Sequence, residues 1–148
     1  MSETIENFEV YLKEKNIPLK KSQLKNGQIL FNGNFRLTKT RVLPFGIVFD
    51  SKEAKSIDFQ ITYHKLAYVK DFTKKAEILE LLNELNQVKA GYYSVVLAGD
   101  GEIYLKQLSR TTSDVLAAYE MMVFGSTIAK VIIKEIEKVL EPAAEEEK

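Results

Sequence analysis

The chain has 148 residues, 45% apolar and 28% charged, with 21 basic side chains against 21 acidic ones and no cysteine. This length suits one domain that buries roughly two thirds of its unfolded surface without a metal or disulfide staple. The missing thiols exclude disulfides, thiolate zinc sites and cysteine nucleophiles, and the zero net charge offers no overall field toward nucleic acid or an anionic membrane.

From the N-terminus, Ile5, Phe8 and Leu12 fall at i, i+3 and i+7. This single apolar stripe predicts a helix over 4–15, ended by Asn16 and Pro18. Residues 1–11 are acidic and amphipathic, without the basic start and apolar run of a secretory signal. A polar connection over 24–27 follows. Three strands come next. In the first, Ile29, Phe31, Phe35 and Leu37 alternate with Asn32, Asn34, Arg36 and Thr38, so one face is buried and the other wet. Pro44 and Gly46 are expected to break the chain before a second strand over 47–50. The third alternates most clearly: Ile57, Phe59, Ile61 and Tyr63 point one way, Asp58, Gln60, Thr62 and His64 the other.

A second helix is expected from Thr73, as N-cap, with Ile78, Leu79, Leu82 and Leu85 buried and Gly91 ending it. Strands over 92–98 and 103–108 flank Gly99-Asp100-Gly101, and an Asp-Gly pair between apolar runs predicts a hairpin. The last helix is expected over 113–140, with Thr111 and Asp114 as a capping box. At 1.5 Å per residue it would reach about 40 Å, so it should bend near 125–127 or project toward a partner. Its apolar part, 115–133, is as long as a membrane span. Glu120 and Lys130 lie inside it, each costing about 2.5–3.5 kcal/mol near a bilayer centre, so a helix packed on a protein core is the expectation. Pro142 is expected to stop it. The organisation read from the chain is a single α+β domain over 1–141, of order α-β-β-β-α-β-β-α with a mostly antiparallel sheet and packed helices, and a disordered acidic tail over 142–148.

No catalytic, cofactor-binding or metal-binding constellation emerges. His64 is the only histidine and sits on a wet strand face. Asp50, Asp58, Asp71 and Asp100 are scattered, and Asp100 is explained by its turn. Glu80 and Glu84 flank an apolar stripe, as a solvated face would. Gly99 and Gly101 precede a strand, whereas a dinucleotide fingerprint opens a helix. Lys13, Lys15, Lys20, Lys21 and Lys25 form the best basic cluster, diluted by Glu3, Glu6, Glu9 and Glu14. That composition argues against nucleic acid. The surplus is aromatic and apolar. Tyr92, Tyr93 and Tyr104 fall on the hairpin, and Tyr63 and Tyr68 on the third strand.

Leu81-Leu82-Asn83-Glu84-Leu85-Asn86, then a Tyr-rich strand, Asp100-Gly101, an apolar strand and a long helix after Ser/Thr residues, together resemble the YbjN-like bacterial family. The motif-level likeness spans about 78–108, and the element order extends it. The resemblance implies the fold of the type III secretion chaperones, a homodimer, and binding of other proteins rather than catalysis, with no catalytic residues to carry over. The balanced charge departs from the acidic surface common among secretion chaperones.

The expectation is therefore a cytoplasmic, non-enzymatic protein-binding or chaperone-like homodimer with no cofactor, no membrane span and a protein or peptide partner. The candidate partner-binding or dimer face comprises Tyr92, Tyr93, Tyr104, Tyr119, Met122, Val123, Ile132 and Ile136. The alternatives are a small-molecule-processing enzyme built near His64 with a carboxylate, and a weak nucleic-acid binder stacking bases on the sheet tyrosines.

Overall fold

The computed structural model describes residues 3–52 and 54–140. The expected tail over 142–148, with Pro142, lies outside the described residues. The helices are α1 (Glu3–Glu14), α2 (Lys75–Val88) and α3 (Leu116–Ile136), with a short 3₁₀ turn at Phe72–Lys74. The strands are β1 (Lys20–Gln23), β2 (Ile29–Arg36), β3 (Val42–Phe49), β4 (Ile57–Tyr68), β5 (Ser94–Leu97) and β6 (Glu102–Thr111). They form one six-stranded sheet in the order β1-β2-β3-β4-β6-β5, antiparallel throughout. The α+β class and element order are those expected, with β1 added. Its Lys-Lys-Ser-Gln sequence has no apolar alternation, because an edge strand on a polar hairpin has little to bury.

The sheet buries one face. Phe31, Leu43, Ile47, Phe49, Phe59, Ile61, Tyr63, Val95, Ile103 and Leu105 lie beneath the helices. α1 seats Phe8 between Phe31 and Phe49, with ring centroids 5.2 and 4.9 Å away. Its end is a Schellman closure: Asn16 takes a left-handed φ of 56°, and Ile17 N–H reaches back to the Leu12 carbonyl at 2.9 Å. The opposite sheet face carries Asp58, Gln60, Thr62, His64, Tyr104, Lys106 and Leu108, and no helix among the described residues packs on it.

Several expectations are corrected. Pro44 and Gly46 do not precede the second strand but lie within β3, paired with Asn34 and Asn32. Pro44 falls outside the stretch of β3 that pairs with β4, where a proline removes no ladder bond on that side. Asp71, not Thr73, caps the turn into α2; its carboxylate accepts from the Thr73 N–H at 3.0 Å and from the Thr73 hydroxyl at 2.6 Å. Those two bonds hold the Asp71 carboxyl below its usual range. Leu79 points to solvent, while Ile78, Leu82 and Leu85 face the core. No Thr111–Asp114 capping box forms. Thr111 ends β6, and the Asp114 carboxylate accepts from Leu116 N–H at 3.3 Å.

Asn86, at the end of the Leu-rich motif, has a specific task. Its side-chain amide accepts from Val95 N–H at 2.7 Å and donates to Val95 carbonyl at 3.1 Å. It thereby occupies the free backbone groups on the outer edge of β5 and fixes α2 against that edge. The β5–β6 hairpin turns at Gly99-Asp100-Gly101 as expected. Gly101 adopts a φ of 96°, and a Cβ there would strike the Val69 carbonyl, so only glycine fits.

Candidate partner-binding face

The surface begins with how α3 is seated. Tyr63 on β4 and Tyr93 before β5 rise from the buried sheet face. They donate hydroxyl hydrogen bonds to the backbone carbonyls of Met122 and Met121, at 2.5 and 2.6 Å. Their rings meet edge to face at 6.2 Å, a favoured aromatic geometry. Gly125 makes this approach possible, since a Cβ there would collide with both rings. Burial raises the Tyr63 hydroxyl pKa far above its ordinary value, offset in part by the Ser126 backbone N–H. Burial raises that of Tyr93 likewise, with Tyr63 adding to the effect.

This seat decides which side of α3 is inward. Ala118, Met122, Gly125, Ile128, Ala129, Ile132, Ile133 and Ile136 are buried along its whole length, so no part of it projects. Its 21 residues span about 31 Å at 1.5 Å each. α3 is the one helix among the described residues long and apolar enough to cross a membrane by length and composition, yet its inner face is packed on β4 and β6.

The outward side carries large apolar residues among the polar Glu120, Thr127, Lys130 and Lys134. Leu116, Val123, Phe124 and Val131 are exposed, Val123 to 43% and Phe124 to 41%. Tyr92, 66% exposed, packs its ring edge to face with Phe124 at 6.2 Å. The buried Gln107 side chain donates to the Tyr92 carbonyl at 3.3 Å, which fixes the backbone that presents the ring. At the helix's other flank Tyr119 stacks on Tyr11 at 5.5 Å, and burial raises its hydroxyl pKa. Tyr92, Tyr119, Glu120, Val123, Phe124 and Thr127 are among the residues lining a shallow open groove of about 500 Å³.

The candidate residues therefore divide. Tyr92, Tyr119 and Val123 are brought together on this face. Tyr93, Met122, Ile132 and Ile136 belong to the core, at 3%, 1%, 0% and 1% exposure. They are corrected from candidate interface residues to structural ones, because the sheet claims that side of the helix. Tyr104 lies on the opposite sheet face, its ring stacked with His64 at 6.0 Å. Leu116, Phe124 and Val131 were absent from the candidates. The available signal is helical spacing: 116, 120, 123, 124, 127, 131 and 134 lie along one side of the helix.

His64 does gain a carboxylate neighbour, Glu102 at 3.3 Å from its Nδ1. Glu102 has a structural duty there. β4 bulges between Tyr63 and Ala67, Lys65 takes a φ of 62°, and the same Glu102 oxygen accepts the Lys65 N–H at 2.8 Å. Arg41 holds the bulge from the other side, donating to the Lys65 and Leu66 carbonyls at 3.1 and 2.6 Å. The pair is exposed and explained by the bulge. A base-stacking platform loses Tyr63 and Tyr93 to the core. In the basic cluster, Lys21 is paired with Glu9 at 3.2 Å. Among the described residues no group of three or more His, Asp or Glu side chains is placed to hold a metal.

No protein-family model matches the chain, and no curated protein matches it in sequence.

Proposed function

We propose that the protein is a non-enzymatic, chaperone-like binding protein that works as a homodimer in a bacterial cytoplasm, in the manner of the YbjN-like family and of the type III secretion chaperone-like fold. One observation carries this reading: the outward side of α3 exposes Leu116, Val123, Phe124 and Val131 to solvent, with Tyr92 beside them. A run of exposed aliphatic and aromatic side chains on one rigid helix is costly in water and characteristic of a contact surface. The clearest carboxylate–histidine pair is occupied by capping a bulge, which favours binding over catalysis.

Size exclusion with light scattering at tens of micromolar is expected to give a dimer, and Val123→Asp a folded monomer. A parent protein that is monomeric at that concentration would overturn the homodimer. The chaperone-like part is checked by adding the protein to an aggregating model substrate. Aggregation should fall at near-equimolar ratio for the parent and less for Val123→Asp.

A further inference from the structure

Resting on that reading, we infer that the occupant of the outward face of α3 is the same helix of a second copy, running antiparallel about a two-fold axis at Thr127. The stripe Leu116, Glu120, Val123, Thr127, Val131 and Lys134 is exposed along its length. Its steps of three and four residues match the seam of paired helices. Thr127 lies at the middle, with Glu120 seven residues before it and Lys134 seven after. Glu120 and Lys134 make no ion pair or side-chain hydrogen bond among the described residues, unlike neighbouring Glu135, which is held by Lys89 at 3.0 Å and Lys138 at 3.1 Å. Those bonds hold the Glu135 carboxyl below its usual range.

An isologous contact brings residue i to j and j to i. With the axis at Thr127, Glu120 of each chain faces the partner's Lys134, twice. Val123 then closes on the partner's Val131, again twice, with Phe124 beside the contact, and the small Thr127 at the centre lets the backbones approach. A parallel pairing would set Glu120 against Glu120 and Lys134 against Lys134. Charge therefore selects the antiparallel arrangement, and the apolar side chains supply the attraction. Lys130 is turned out of the seam, its ammonium 5.4 Å from the centre of the Phe35 ring in its own chain.

Charge exchange tests the axis. Glu120→Lys and Lys134→Glu should each weaken self-association, by roughly tenfold or more, because two attractions become two repulsions. Mixed one to one, the two variants should form a heterodimer within about threefold of the parent affinity, since every facing pair is again opposite in sign. The doubly substituted chain should self-associate like the parent. If the parent dimerises but the single variants keep its affinity, or the mixture gives no heterodimer, this axis is wrong while the homodimer stands. A monomeric parent fails both.

Discussion

The two sides of α3 both carry large apolar side chains, and these meet opposite fates. The inward side is set by two tyrosine hydroxyls on consecutive helix carbonyls and by a glycine that admits their rings. The outward side meets solvent and Tyr92, with Tyr119 at its flank stacked on Tyr11. The inward side tolerates almost no change of volume, while the outward side is free to change until a second molecule is present. The mean hydropathy of the helix does not separate them, but charge does: Glu120, Lys130 and Lys134 lie on exposed positions and none of the buried positions is charged.

The strongest way to break this contrast is Gly125→Val. The added branches have no room between Tyr63 and Tyr93, and overpacking there should cost about 3 kcal/mol or more. Denaturant unfolding would show it, and a loss under about 1 kcal/mol would mean that the rings move aside easily.

Removing one hydroxyl is a smaller insult. Tyr93→Phe should cost about 1 kcal/mol for the lost buried hydrogen bond. It should also change the pH dependence. Both hydroxyls have pKa values raised by folding above their ordinary 10.0. Their contribution is thus fully present below about pH 10 and is lost as pH rises beyond it. Stability measured at pH 8 and at pH 11 should fall more steeply for the parent than for Tyr93→Phe. An equal fall would show that Tyr93 is not protected.

The smallest effect is expected two residues from Gly125, on the opposite side. Thr127→Ala should leave stability within about 0.5 kcal/mol, or raise it slightly through helix propensity. Thermal unfolding at low micromolar concentration checks this, and a large loss would place Thr127 in a contact absent from the monomer.

Much of the architecture was legible because periodicity records burial. The alternation at Ile57, Phe59, Ile61 and Tyr63 and the turn at Asp100-Gly101 each reflect a local rule. Where two rules competed, tertiary context won. Pro44 and Gly46 look like breakers but sit in a strand, because pairing with β2 continues past them. The cap before α2 was instead a local choice: Asp71, two residues before Thr73, accepts its N–H. The bulge at Lys65, held by Glu102 and Arg41, depends on residues 37 and 24 positions away and leaves no local trace. In the candidate face, Tyr92, Tyr119 and Val123 were legible, whereas Tyr93, Met122, Ile132 and Ile136 were assigned to the wrong side.

The sequence by itself determined that the last helix is apolar, long and interrupted by a glycine, and that an aromatic hairpin precedes it. Only the tertiary structure decided how its inner side is seated and which apolar residues stay exposed beside the charged ones. The uncharged side is the one buried, and on it Gly125 leaves space for Tyr63 and Tyr93 to reach the backbone, a contact that links residues far apart in the chain.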